Sequence, residues 1–250
     1  MKLLRRLLTA IATFFLVFQL AIPGAATELE KKIDSLFVIA SSGEVRYRDL
    51  NEPAMDSIAA LGVKAVPHLI EKFTTKDARE RWTIIWVLQR IGAPAVPYPI
   101  DALQKPDELV VSRVAWALGD IGDTSAVPAL IAVSNHKAWQ VREEAVGALG
   151  QLKDNRADDA VVAALADTIG QVRKAAVVSA GSLKLNEAAP QIVLRFGDSC
   201  YGARLTAVDA VLQLDTALAV QALTDSLQSS DPFVSDLSAR ALGALATDRE

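Results

Sequence analysis

Apolar positions in this chain recur at helical spacing over most of its length. Between 110 and 121, Val110, Val111, Val114, Ala115, Leu118 and Ile121 fall on one side at about 100° per residue, the pattern of an amphipathic helix. The segment returns along the chain. VREEAVGALGQLKD (141–154) aligns without gaps on VVSRVAWALGDIGD (110–123), VRKAAVVSAGSLKL (172–185) and ARLTAVDAVLQLDT (203–216). A shorter apolar segment precedes it: Ala65-Val-Pro-His-Leu-Ile, Ala95-Val-Pro-Tyr-Pro-Ile and Ala126-Val-Pro-Ala-Leu-Ile, spaced by 30 and 31 residues. Self-similarity at such a period marks a stack of supersecondary units.

Each unit reads as two helices. Pro67, Pro97 and Pro128 stand where a first helix begins, a position at which a missing N–H costs nothing. Gly92 and Gly122 stand where a second helix ends and a left-handed residue is needed. Gly119, Gly150, Gly181 and Gly243 share one column, and Ala117, Ala148, Ala210 and Ala241 another, so neighbouring second helices are expected to approach closely. One unit cannot bury its own apolar stripe, so neighbours must stack into a continuous core. The predicted fold is all-α: a right-handed α-solenoid of antiparallel helix pairs with six units over 65–250. Residues 27–64 form a divergent first unit or cap, with Leu29, Ile33, Leu36, Phe37 and Ala40 at helical spacing.

Residues 1–26 read differently. Lys2, Arg5 and Arg6 precede an apolar run from Leu7 to Ile22, then Pro23, Gly24, Ala25 and Ala26, the layout of a cleavable secretory signal. A retained N-terminal anchor is the alternative. Both place the rest of the chain outside the cytoplasm, in a periplasm or the medium, and cleavage leaves no membrane span.

Composition narrows the function. Apolar residues are 51% and aromatics 6%, which favours packed helices over sheet. Twenty-six basic against 30 acidic residues give a net charge of −4. Loss of the three basic residues before Ala26 makes it −7. Acids gather near the end, where Asp209, Asp215, Asp225, Asp231, Asp236, Asp248 and Glu250 face Arg240 and Arg249. That balance argues against nucleic acid as a partner. The single Cys200 excludes a disulfide framework and leaves a thiol at the start of a second helix, open to an intermolecular disulfide or to burial as a small residue.

The unit of about 31 residues, with AVPxLI opening its first helix and VRxxAxxALGxIGD its second, resembles the HEAT-like repeats of the phycobilisome-lyase type. The resemblance is close over 65–250 and loose over 28–62. It implies architecture more than activity, since such repeats occur in bilin lyases, in deoxyhypusine hydroxylase and in scaffolds. The hydroxylase holds two irons on repeated His-Glu pairs. Here His68 is followed by Leu69 and His136 by Lys137, so those ligands are missing, and no metal or other cofactor is expected. A bilin lyase works in the cytoplasm, at odds with a secretory signal.

Two groups of residues stand out. Arg81, Arg142, Arg173 and Arg204 form a column, with Asp167 and Asp198 six residues before the last two. This resembles the Asp and Arg ladder that joins adjacent HEAT units; Arg81 and Arg142 lack an Asp at that spacing. Trp86 and Trp116 share a column in adjacent second helices, opposite the Leu118 stripe and beside Thr83, Arg90, Arg113 and Asp120. Trp82 lies one turn before Trp86, and Trp139 precedes the next second helix. Tryptophan with arginine is the composition of a binding hot spot, and such rings also serve as core cover. With no catalytic set in view, the reading is an exported scaffold that binds a protein or peptide on its concave face through Trp82, Trp86, Trp116, Arg90, Arg113 and Asp120. The alternatives are a lyase-type or cofactor-handling protein using Cys200 or Asp120, and a structural spacer.

Overall fold

The repeat becomes a helical hairpin every 30 or 31 residues. In the computed structural model, which describes residues 26–247, the described residues form fourteen α-helices and no strand. They pair in chain order. The cap is α1 (Glu28–Ala40) with α2 (Asn51–Ala59). Units one to three are α3 (Val66–Glu71) with α4 (Ala78–Ile91), α5 (Pro97–Ala102) with α6 (Glu108–Ile121), and α7 (Val127–Val133) with α8 (Trp139–Leu152). Units four to six are α9 (Asp158–Ala164) with α10 (Gly170–Ser182), α11 (Ala189–Leu194) with α12 (Tyr201–Leu212), and α13 (Thr216–Ser226) with α14 (Pro232–Thr247). The segment read as a secretory signal lies, apart from Ala26, outside the described residues, as do Asp248, Arg249 and Glu250. No helix of the described residues is long and apolar enough to cross a membrane.

One unbroken core runs through the stack. Ala65, Ala95, Ala126, Ala157, Ala188 and Ala219, one per unit, are all buried where the first helix begins. Leu69, Leu130, Val161, Ile192 and Leu223 follow one turn later, also buried. From the second helices come Ile84, Val114, Ala145, Ala176 and Ala207 at one register and Leu88, Leu118, Leu149, Ala180 and Val211 at another. These are the apolar columns of the sequence, so burial of one stripe per helix is what joins the units.

Polar side chains set where each helix starts and stops. Before the second helices, a side-chain acceptor takes the N–H two residues on: Thr75 from Asp77, His136 from Ala138, Asp167 from Ile169, Asp198 from Cys200 and Ser229 from Asp231. Asp77 and Asp107 then cap α4 and α6 directly. At the far end Gly92 and Gly122 have φ of 72° and 80°, and Lys153 and Lys184 hold the left-handed region at 52° and 53° without glycine. Asn51 closes α1 by donating to the carbonyls of Ile39, Ala40 and Ser42.

The glycine column fixes the spacing of the second helices. A Cβ on Gly119 would lie 2.8 Å from Ala148 Cα, one on Gly150 2.7 Å from Ser179 Cα, and one on Gly181 3.1 Å from Ala210 Cα. Each glycine thus receives the small residue of the next helix, and α6, α8, α10 and α12 pack closely along their length. Ser179, which interrupts the alanine column, donates to Val146 O at 2.8 Å and is buried. The close approach stops at both sides: Gln89 and Leu212 stand where glycine would, α4 meets α6 and α12 meets α14 over a shorter stretch, and Gly243, expected to receive a neighbour, has nothing within 4 Å of where its Cβ would be.

Candidate functional site

The wider joint between α4 and α6 is filled by aromatic rings. Trp82 stacks on Trp86 with centroids 5.9 Å apart and meets Trp116 edge to face at 4.6 Å. Trp82, not Trp86, therefore links the two helices. Trp116 is partly buried against the core, whereas Trp82 and Trp86 remain 41% and 43% exposed. The cluster shows both roles open to tryptophan: its inner member covers the core and its outer two present apolar surface. Trp139 packs against the core at the start of α8, away from the cluster.

The two arginines placed beside these rings by helical angle reach elsewhere. Arg90 Nε donates to Asp56 at 2.9 Å, and its guanidinium also pairs with Glu52, so it ties unit one to α2 of the cap. Arg113 donates to the carbonyls of Phe73 and, at 2.6 Å, Thr75, closing the turn between α3 and α4. Burial and neighbouring Arg81 draw the Arg113 guanidinium below its usual range. Both side chains are committed inside the fold, because column position gives the face of a helix and not the reach of a long side chain.

Acids take the place of the arginines. Asp120, in register with Arg90, holds Oδ2 buried without a hydrogen-bond partner, and burial raises its carboxyl despite the Gln151 amide nearby. On α8, Glu144 is in register with Arg113. Burial, with the charges of Glu143 and Asp120, pushes it up to about 7. Burial raises Glu143 too, against the pull of Lys174. Next to them the tryptophan column ends: Trp86 and Trp116 are followed by Gly147, where a Cβ would meet nothing within 4 Å, and then by exposed Val178. The space left is a groove of about 290 Å³ between α8 and α10, lined by Glu143, Glu144, Gly147, Gln151, Lys174 and Val178 among others. The sequence reading missed Glu143 and Glu144. Its usable signal was the change from Trp116 to Gly147 in a column of bulky residues, with two acids one turn upstream.

The arginine column works differently from its spacing. Each arginine reaches forward: Arg142 is bidentate to Asp167 at 2.7 and 2.8 Å, and Arg173 to Asp198 at 2.6 Å for both bonds. The Asp six residues before an arginine gives that arginine its backbone carbonyl, as Asp167 does for Arg173 and Asp198 for Arg204. Arg142 is thus a full member. Among the described residues Arg81 reaches only the Lys76 carbonyl, and Arg204, with Ser229 where a carboxylate would stand, lies over the rings of Tyr201 and Phe233. Burial works to raise the carboxyls of Asp167 and Asp198, and the arginine and backbone bonds outweigh it, leaving both below the usual range.

The remaining chemistry-bearing residues are dispersed. His68 pairs with Asp34 at 2.8 Å, joining α3 to α1. Cys200 stands just before α12 without a capping bond from its thiol, partly buried and three units away from Asp120. Among the described residues no three His, Cys, Asp or Glu side chains are grouped to hold a metal ion.

Comparison with known proteins agrees with this geometry. A family model described as HEAT repeats matches residues 66–138, 96–181 and 130–201. Among solved structures, a chain of the CpcE–CpcF complex of phycocyanin lyase from Nostoc sp. PCC7120 is similar at 24% identity and a TM-score of 0.51, over 72% of this chain and 76% of that one. The Escherichia coli protein YibA is similar at 18% identity and a TM-score of 0.57, over 83% and 78%. These likenesses speak to the fold. No curated relative matches the sequence significantly. With repeat matches that together run from 66 to 201, more than half of its 250 residues, the chain belongs to the HEAT-repeat family.

Proposed function

We propose that this chain is an exported HEAT-repeat scaffold that binds a protein or peptide on the face of its second helices, centred on Trp82, Trp86 and Trp116. The observation that carries the reading is the exposure of two stacked indoles, backed by a third. Large exposed aromatic surface is unfavourable in water and is enriched at interaction hot spots. A stack of rigid units gives it a fixed frame. Export rests on the sequence of residues 1–26 alone.

The test is capture of partners from an envelope fraction by chain 27–250, beside a Trp82→Ala, Trp86→Ala variant whose helicity is unchanged. A partner held by the wild type and lost by the variant supports the site. Equal capture by both moves binding elsewhere on the solenoid. N-terminal sequencing of the protein recovered from its host, showing a start at Thr27, would support cleavage and export.

A further inference from the structure

We infer that the partner of this face is a basic peptide segment, whose apolar side chains lie on Trp82 and Trp86 while an arginine or lysine enters the groove over Gly147 beside Glu144. This deepens the reading above and rests on it.

The argument is one of charge and volume. The groove has room for one long side chain, because Gly147 supplies no bulk beside Val178 and nothing lies within 4 Å of where its Cβ would be. Glu144 in the groove and Asp120 beside it on α6 lack what the ladder carboxylates possess. Asp167 and Asp198 each hold a bidentate arginine, whereas among the described residues Asp120 Oδ2 has no hydrogen-bond partner and Glu144 bonds to no side chain or backbone group. Three charged groups bear on Glu144 and its neighbour: Asp120 from α6, Glu143 on its own helix, and exposed Lys174 from α10, the single cation among them. An incoming guanidinium or ammonium would supply the missing charge, as charge-assisted bonds to carboxylates do elsewhere in the molecule. Its aliphatic stem would lie against Val178, and flanking apolar residues against the indoles, where a cation passing over tryptophan gains further. Two sites of opposite character, the rings on α4 and the groove beside α8 with α6 between them, fit a chain of alternating apolar and basic residues better than a lone small cation.

The test uses an acetylated, amidated hexapeptide of alternating arginine and leucine, with a glutamate and leucine counterpart and free spermidine as controls, followed by tryptophan fluorescence. The wild-type chain is expected to bind the basic peptide at least tenfold tighter than either control. At pH 7 binding should release protons, seen as a dependence of the calorimetric heat on buffer ionisation, because bound Glu144 is charged. Glu143→Gln with Glu144→Gln should weaken binding at least tenfold, and Lys174→Gln should tighten it, an opposite response that loss of structure cannot produce. Equal binding of the acidic peptide, tighter binding of spermidine, or indifference to the glutamates overturns the inference. If in addition a captured partner still depends on Trp82 and Trp86, the binding face stands and only its charge preference falls. If neither holds, both fall.

Discussion

Gly147 and Gly150 lie one turn apart on α8, and the same substitution should move stability in opposite directions. At Gly150 a Cβ would sit 2.7 Å from Ser179 Cα, where ordinary contact needs 3.4–4 Å, so α8 and α10 would have to part by about 1 Å. That movement strains the Ser179 bond to Val146 O. Overpacking of this kind costs ~1–3 kcal/mol and a weakened buried hydrogen bond ~1 kcal/mol, against a gain of ~1 kcal/mol in helix propensity. The net loss for Gly150→Ala is about 2 kcal/mol, or roughly 6 °C in Tm for a chain of this size. At Gly147 nothing lies within 4 Å of the added methyl, so Gly147→Ala keeps the propensity gain of ~1 kcal/mol and should raise Tm by about 3 °C. Urea denaturation and thermal scans followed by far-UV circular dichroism, read as midpoints because repeat arrays need not unfold in one step, measure both. A Gly150→Ala protein as stable as the wild type would refute the idea that this column sets the distance between second helices.

Other outcomes follow from the same contacts. Asp198→Asn should cost about 3–5 kcal/mol in denaturation, since it leaves the Arg173 guanidinium partly buried and unpaired. Because the folded Asp198 carboxyl lies below its unfolded value, its contribution is complete above pH ~4 and fades as pH falls further, and Asp198→Asn should remove that part of the acid transition. Glu144 behaves with the opposite sign. Its carboxyl at about 7 keeps a proton that the unfolded chain has lost, so stability declines between pH ~4.5 and ~7 by up to ~3 kcal/mol, and Glu144→Gln should flatten that slope. Lys153→Gly should stabilise by about 0.5–1 kcal/mol, because a left-handed φ of 52° strains any side chain and leaves glycine at ease, and a lower urea midpoint would contradict this.

The architecture was legible because burial repeats. Ala65, Ala95 and Ala126, or Leu88, Leu118 and Leu149, each occupy one environment, and a column in sequence is a row in space. What escaped was where the long side chains reach between columns. Arg142 has no Asp six residues before it, and its carboxylate comes from the following unit, 25 residues on. Arg90 and Arg113 sat on the predicted face, yet their long side chains turn back to α2 and to the α3–α4 turn. Trp82 looked secondary to Trp86 and is the ring that touches Trp116. Glu143 and Glu144 resemble ordinary solvated acids until the absence of bulk at Gly147 is set beside them.

The end of the glycine column at Gln89 and Leu212 also divides the solenoid mechanically. Helices α6 to α12, closed by backbone approach, form a stiff block, while α4 is joined to it through side chains that can slide. Bending should therefore concentrate at the tryptophan-filled joint, like the first link of a chain fixed to a rod. An occupant lying on Trp82 and Trp86 would restrain that link. Its arrival would then register as slowed amide exchange over 78–121 with little change in mean structure, so the chain would respond to a ligand by losing compliance.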